Sequence, residues 1–327
     1  MVDQSQCNLL SLALEGISNN NNDNNPYFVA FYTCVAISLL TFAVSTITRN
    51  YSQVDKVWSI TPVLYAWFAV VDQRTLLMAI LATIWGIRLT WNFNRRGGYK
   101  WPIWEGDEDY RWACIQKGHY IDILKYPVPW MLFNFGFISF YQNFLLMLTA
   151  APSFVASTMA TDPSCSTSTN GNGNGKPLDM FGLDGIATVM MIVFIVIESI
   201  ADNQQYEFQK EKYRQIEAVG VERKGEYADG FRQSGLFAIV RKPNYASEQM
   251  IWISYYLFSI SASGKILNWS VIGCTLLVLL FQLSGRFTEK LTLMKYPFAY
   301  ASYQQRVGLY APRLFQSKNV SDEKKGR

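Results

Sequence analysis

Uncharged apolar stretches divide the chain into blocks long enough to cross a membrane. Residues 27–48 carry no charge across 22 positions, residues 126–161 none across 36, and residues 266–285 none across 20. Runs of about 18 or more apolar residues are typical of transmembrane helices. The pattern predicts seven spans, at about 27–48, 53–71, 75–94, 128–151, 183–202, 246–263 and 266–285. We therefore expect an all-α, polytopic membrane helical bundle with about seven transmembrane helices.

The polar stretches organise the rest of the chain. Residues 1–26 end in an Asn-rich run that is typical of a disordered tail. Residues 162–177 are rich in Ser, Thr, Asn and Gly, which predicts a flexible loop. We predict one membrane domain over residues 27–315 and a basic tail over residues 316–327.

Basic residues predict the orientation, because Lys and Arg accumulate on the cytosolic side of membrane proteins. With the N-terminus in a lumen, the luminal segments carry only 3 of the 29 basic residues, namely Arg74, Lys176 and Lys265. The N-terminal tail is then luminal and the C-terminal tail cytosolic. Lys324 and Lys325 resemble a dilysine retrieval signal, which predicts the endoplasmic reticulum membrane, although a solvated charged tail would read the same way.

Composition argues against several function classes. The single histidine, His119, disfavours a histidine-based metal site, and the five cysteines lack the C-x-x-C spacing of a zinc site. A net charge of +4 gives no reason to expect a nucleic-acid partner. The mean hydropathy of +0.05 indicates large polar loops between the spans.

Five charged residues lie inside or beside the predicted spans, where charge is costly and often functional. With the orientation above, all fall in the cytosolic half of the membrane, so they can surround one polar cavity open to the cytosol. Snorkelling or structural pairing is the alternative for each of them. The five residues are Asp55, Arg88, Glu198, Asp202 and Glu248.

Arginine clusters in a loop suggest phosphate, because guanidinium groups bind it through two parallel hydrogen bonds. Arg95 and Arg96 precede two glycines, and Arg111 follows in the same loop. A cytosolic loop is expected to be basic in any case, which is the simpler explanation. The chain has no G-x-G-x-x-G after a strand and no G-x-x-x-x-G-K-[ST], so a Rossmann or P-loop nucleotide site is not expected.

A third segment gathers polar residues at a helix start. In the run from Ser234 to Glu248, Pro243 suits the first turn of a helix, and Asn244 and Glu248 then share one helical face.

These segments together resemble the steroid 5-alpha-reductase family of membrane NADPH-dependent reductases, over about residues 50–315. The resemblance rests on the order and spacing of the matching pieces. They are Asp55-Lys56-Val57-Trp58 with Pro62, Trp85-Gly86-Ile87-Arg88-Leu89, Asp109-Tyr110-Arg111-Trp112, Phe133 to Pro152, Gly235-Leu236-Phe237, Arg241-x-Pro243-Asn244-Tyr245-x-x-Glu248, and the segment from Tyr300 to Pro312.

The resemblance implies a seven-helix, reductase-like membrane domain that holds NADPH on the cytosolic side, with a lipid or sterol beside it. The matching cofactor positions are Asp202, Arg241, Asn244, Tyr245 and Glu248, and the phosphate candidates are Arg95, Arg96 and Arg111. One departure is Lys242, which stands where the family has histidine.

The chemistry implied is reduction of an activated C=C bond, for which Asp55 and Tyr110 are the candidate acids or hydrogen-bond donors. One alternative is a membrane methyltransferase of the isoprenylcysteine carboxyl methyltransferase type, which uses S-adenosylmethionine. Against it, the helix around Glu289 lacks the paired glutamates of that group. A non-catalytic lipid-binding member of the fold is the other alternative, favoured by Lys242.

Overall fold

The computed structural model describes residues 25–118, 121–161, 176–218 and 223–313. Most of the N-terminal tail, of the predicted 162–177 loop and of the C-terminal tail, with His119 and the Lys324–Lys325 pair, lies outside the described residues. The described residues are mainly helical, and their one β-contact is an isolated bridge between Val240 and Gly308.

The helices are numbered here in chain order. They are α1 (Pro26–Thr48), α2 (Gln53–Trp58), α3 (Thr61–Phe68), α4 (Gln73–Asn94), α5 (Tyr110–Gln116), α6 (Pro127–Thr149), α7 (Ala151–Thr161), α8 (Leu183–Glu217), α9 (Glu226–Asp229), α10 (Pro243–Ser263), α11 (Val271–Lys295) and α12 (Pro297–Arg306).

Five of these helices are long and apolar enough to cross a membrane, namely α1, α4, α6, α8 and α11. A helical membrane bundle is thereby confirmed, but the count of seven spans is not. The predicted sixth span is a 21-residue helix, α10, which falls outside these five. The predicted second span is two short helices, since Pro62 in the first turn of α3 lacks the amide hydrogen that a continuous helix would use there.

Local sequence explains where several helices begin. The Asn25 side chain accepts a hydrogen bond from the Tyr27 amide at 3.0 Å, and Pro26 follows it in the first turn of α1. At α4, Asp72 and Thr75 form a reciprocal capping box.

Helix α6 contains a π-helical stretch, Asn134–Tyr141. The Asn134 amide in this stretch donates to the Ser45 hydroxyl of α1 at 3.0 Å, and Asn143, one residue into the α-helical part that follows, donates to Thr41 at 3.1 Å. The looser π turn thus accompanies a buried polar seam between α1 and α6.

The chain forms two compact units, whose boundaries fall inside α8, α10 and α11. The first unit comprises residues up to 192 together with 251–277. Its core includes an aromatic and small-residue cluster around Tyr27, Cys34, Tyr65 and Phe154. At one end of α4, Arg74 and Asp184 form a fully buried ion pair at 3.0 Å.

The second unit comprises residues 193–250 and those from 278 onward. Its apolar cluster contains Phe231, Tyr300, Tyr303 and Val307. Helix α8 continues to Glu217, well past the predicted end of the fifth span at residue 202. That extension is rich in Glu, Gln and Lys, which are good helix formers that need no apolar surroundings.

Candidate functional site

Three carboxylates are buried within the second unit. Glu198, Asp202 and Glu248 are 5%, 4% and 3% exposed, respectively. Glu198 and Asp202 lie one turn apart on α8, and Glu248 lies in the second turn of α10. Burying carboxylates in a largely apolar helical unit is costly unless hydrogen-bonding partners satisfy them. This concentration makes the second unit the first candidate for a polar ligand site.

The start of α10 adds two of the predicted cofactor residues. Asn244 and Tyr245 follow Pro243 directly, and both are half-buried. The side-chain oxygen Oδ1 of Asn244 accepts a hydrogen bond from the Tyr245 backbone amide at 3.0 Å, and the Tyr245 ring packs edge-on against Phe281 at 5.0 Å between ring centres. Asn244 therefore lies one helical turn before Glu248, as the sequence spacing predicts.

Arg241 is occupied by protein groups. Its Nε donates to Glu289 at 2.9 Å, its Nη2 lies 2.7 Å from the same carboxylate, and its Nη1 donates to the carbonyl oxygens of Gln304 and Val307. Sequence reasoning assigned Arg241 to the cofactor and did not identify Glu289 as its partner, because the two residues lie 48 positions apart. The structure gives Arg241 a structural position at the end of the segment that precedes α10.

The turn before Arg241 is fixed by α8. The side-chain carbonyl of Gln204 accepts the Leu236 amide at 3.0 Å. Gly235 has a left-handed backbone (φ +64°), and a β-carbon there would lie 2.6 Å from the Gln204 amide group. The left-handed backbone favours glycine here, and any larger residue would also displace the Gln204 side chain. Since Gln204 lies two residues beyond Asp202, this contact holds the turn against the carboxylate-bearing helix.

The predicted phosphate-binding arginines lie in the first unit. Arg111 is bound to Asp109, with Nε to Oδ1 at 2.9 Å and Nη2 to Oδ2 at 2.7 Å. Arg95 donates to the Asn92 side chain and stacks on Trp91, 4.2 Å from the ring centre. Arg96 is exposed. Arg96 is thus the most accessible of the three.

Charges in this loop shift one another's titration. Partial burial raises the pKa of Asp109, but the adjacent Arg111 and, to a smaller extent, Arg96 lower it by more. The pKa of Asp109 therefore lies below its ordinary value. Burial raises the pKa of Glu108 above its ordinary value. The Tyr51 amide, which donates to the Glu108 carboxylate at 2.6 Å, lowers the pKa by less than burial raises it. Asp109 is therefore the more firmly ionised of the two.

Of the two predicted catalytic groups, Asp55 has a defined setting and Tyr110 is exposed. The Trp112 indole nitrogen donates to Asp55 Oδ2 at 3.2 Å, and Trp112 belongs to a buried cluster with Val54, Leu124, Trp130 and Ile138. Tyr110, two residues before Trp112, is 59% exposed. The structure thus gives the Asp55 carboxylate an aromatic hydrogen-bond donor.

Trp130 is a residue that sequence reasoning missed. Its indole nitrogen is buried and has no hydrogen-bond acceptor among the described residues. It shares the cluster that contains Trp112, and its ring packs perpendicular to Tyr51 at 4.8 Å. A buried donor of this kind is available to an acceptor on a bound molecule. The sequence is rich in tryptophan, but it contains no signal that distinguishes Trp130 from the other tryptophans.

The structure thus divides the ten predicted site residues. Asp202, Arg241, Asn244, Tyr245 and Glu248 lie in the second unit. Asp55, Arg95, Arg96, Tyr110 and Arg111 lie in the first. Their assigned roles stay predictions. Among the described residues, no group of three or more His, Cys, Asp or Glu side chains is arranged to hold a metal ion.

Comparison with known proteins gives one family and one relative. Residues 41–307 match the family described as "Protein of unknown function (DUF1295)". The chain is 32% identical over 306 residues to "Uncharacterized protein C594.04c" of Schizosaccharomyces pombe, covering 89% of this chain and 81% of that protein. No solved structure matches the chain.

Proposed function

The chain belongs to the DUF1295 family, and from that premise we propose that it is an NADPH-dependent reductase of an activated C=C bond in a sterol or other lipid. The family is related to steroid 5-alpha-reductase-like proteins, in keeping with the resemblance of the motifs. The proposal includes residence in the endoplasmic reticulum membrane as a multi-pass protein.

The observation that carries the proposal is the burial of Glu198, Asp202 and Glu248 in one unit with Asn244. NADPH presents ribose hydroxyls and a carboxamide, which donate hydrogen bonds that carboxylates accept, while an asparagine amide both donates and accepts. These three acceptor carboxylates and the Asn244 amide therefore suit the sugar and nicotinamide parts of the cofactor. Arg241 is not needed for this fit, since its donors already bind Glu289 and backbone carbonyls.

The 2′-phosphate requires a cation, and the exposed Arg96 is the best candidate. Arg95 and Arg111 are half-buried, whereas Arg96 is exposed. Replacing Arg96 should therefore reduce the preference for NADPH over NADH more than replacing Arg111 does.

NADPH, when bound, supplies the hydride for such a reduction. The chain's own contribution is a donor to the carbonyl oxygen of the substrate, which stabilises the enolate as the β-carbon is reduced and the α-carbon gains a proton. Asp55 suits this role when protonated, and the Trp112 N–H orients its carboxyl group. Tyr110 is the second candidate, and its exposure means that substrate would have to cover it.

The test is a cofactor titration on detergent-purified protein, with thermal melting as the readout. Wild type should be stabilised by NADPH, because a ligand that binds the folded state raises the melting temperature. Asn244→Ala should weaken NADPH binding by about 2- to 12-fold, since a hydrogen bond between neutral groups is typically worth ~0.5–1.5 kcal/mol. Asn203→Ala is the matched control, because Asn203 is exposed on the same helix as Asp202.

The outcomes separate the rival functions. Stabilisation by S-adenosylmethionine without NADPH would replace the reductase by the methyltransferase. No stabilisation of wild type by either cofactor at millimolar concentration would leave the non-catalytic lipid-binding role.

A further inference from the structure

Large apolar side chains are exposed at the tip of the loop that follows α4. Trp101, Ile103 and Trp104 are 87%, 69% and 49% exposed, and Pro102 lies among them. We call residues 101–104 the aromatic tip. Single exposed apolar residues are common, but three within four positions form a patch that requires an explanation.

The backbone of the aromatic tip is fixed by α2. The Lys56 ammonium donates to the backbone carbonyl oxygens of Ile103 at 3.1 Å and Glu105 at 2.8 Å. The Gln53 side-chain amide donates to the backbone carbonyl oxygen of Trp104 at 2.8 Å. Lys56 and Gln53 are both buried. Because buried side chains hold the carbonyl groups, the exposure of the tip's own side chains is a built feature of the loop.

A stripe of exposed apolar residues leads along α4 toward this loop. The stripe follows spacings of three and four residues, so its members share one face of a helix that can span a membrane. Such a face contacts lipid, because the hydrocarbon core is its surroundings. The members of the stripe are Leu76, Ile80, Ile84, Ile87 and Trp91.

The aromatic tip continues this lipid-facing stripe. Ile87 and Trp91 line a groove of about 550 Å³ together with Ile60, Val63 and Tyr99, so the chain that leaves α4 returns along the same face. Tyr99 lies two residues before Trp101. Trp and Tyr concentrate where a span meets the membrane surface, since their rings are amphipathic.

The aromatic tip is an uncharged surface. The tip itself carries no charge, and the neighbouring Lys100 is paired with Asp107 at 2.6 Å. Attraction to anionic lipids therefore contributes little, and attachment relies on transfer of apolar area out of water.

We propose that the aromatic tip inserts into the interfacial layer of the bilayer that the chain itself spans, to a depth of ~5–10 Å. Since Lys56 and Gln53 bind the tip backbone, insertion fixes the height of α2, and with it Asp55, at the membrane surface. The occupant of the patch is lipid, because the patch continues a lipid-facing stripe. The proposal does not depend on the reductase activity.

The test measures depth by spin labelling in phosphatidylcholine nanodiscs. Ile103→Cys is made in a background in which Cys7, Cys114 and Cys165 are replaced by serine, while the buried Cys34 and Cys274 are kept. Collision rates of the nitroxide with oxygen, which concentrates in lipid, and with a water-soluble nickel chelate report its depth. Ile84→Cys in the stripe is the lipid reference and Lys117→Cys, which replaces an exposed charged residue, is the water reference.

The label at position 103 should be more accessible to oxygen than to nickel, at a depth between the two references. High salt or added anionic lipid should leave that depth unchanged. Nickel accessibility equal to that at position 117 would overturn the proposal, because the tip would lie in water. Protection from both reagents would also overturn it, because protein would then cover the tip. Trp101→Cys repeats the measurement if Ile103→Cys does not fold.

Discussion

Arg241 and Glu289 form a buried ion pair, with Nη2 of the arginine 2.7 Å from Oε2 of the glutamate and only 9% and 8% of the two side chains exposed. Tyr300 and Gln304 donate to the same carboxylate. The pair therefore joins the start of α10 to α11 and α12. A direct contact between Arg241 and a cofactor phosphate would require this network to open.

We predict that Arg241→Ala destabilises the protein by roughly 3–5 kcal/mol, because removal of one partner leaves a buried charge uncompensated. Arg286→Ala, an exposed arginine on the same helix as Glu289, should change stability by only about 0.5 kcal/mol. The measurement is the free energy of unfolding in detergent without cofactor. Lost NADPH affinity with unchanged stability would instead return Arg241 to the cofactor site.

Gly235→Ala should destabilise the turn that Gln204 holds. An L-residue pays ~1–2 kcal/mol in the left-handed region, and the new β-carbon would also press on the Gln204 amide, 2.6 Å away. Gly264→Ala is the control, since Gly264 has φ +70° and a β-carbon there would meet only the end of the exposed Lys176 side chain. The excess loss of stability at position 235 measures the collision. Equal losses at both positions would mean that the Gln204 contact yields without cost.

Asp109 should make stability depend on pH in the acid range. Its pKa in the folded protein lies below the unfolded value of about 3.9, so the ionised carboxylate stabilises the fold above that pH. The contribution is lost as pH falls through the folded pKa. The stability difference between wild type and Asp109→Asn should therefore be constant near neutral pH and shrink below about pH 4.

Glu108→Gln should show the opposite pH dependence of stability from Asp109→Asn. Burial raises the pKa of Glu108, so its stabilising contribution is present at low pH and is lost as pH rises through the folded pKa. Chemical unfolding of both variants from pH 3 to pH 7 compares them. Parallel pH profiles for the two variants would contradict the opposite shifts.

The termini should lie on opposite sides of the membrane. The partition of basic residues places the N-terminus in the lumen and the C-terminus in the cytosol. Protease added to sealed microsomes should remove a C-terminal tag and spare an N-terminal one. Protection of both tags would require an even number of spans and would refute the orientation.

Replacing Lys324 and Lys325 by serine should release the protein from the endoplasmic reticulum if the dilysine pair is its main retrieval signal. Unchanged location in fluorescence microscopy would assign retention to the membrane helices.

Sequence reasoning succeeded where the signal is local. Hydropathy located α1, α4 and α6 within a few residues, because each is predominantly apolar over about a membrane's width. Helical spacing placed Asn244 and Glu248 one turn apart. The break before Pro62 was overlooked because residues 57–71 carry no charge. The second helix within residues 126–161, α7, was hidden by the same absence of charge.

Contacts between distant residues could not be read from the sequence. The Lys56 ammonium binds carbonyl oxygens 47 and 49 residues away, and backbone carbonyls have no residue-type signature. Sequence reasoning included Lys56 only as part of the Asp55-Lys56-Val57-Trp58 segment, and the structure shows that its ammonium holds a loop. The assignment of Arg241 failed to anticipate Glu289 for the same reason.

Helix α8 carries two separate polar side chains of the second unit. Asp202 lies on it ten positions before Lys212, whose ammonium donates to the Gly230 carbonyl oxygen at 2.9 Å. At 3.6 residues per turn, one residue inserted between them would rotate one side chain about 100° around the axis relative to the other. The Lys212 contact, about 15 Å further along the helix, thus fixes the direction in which the Asp202 side chain leaves the helix axis. The length of this segment is therefore as constrained as its composition.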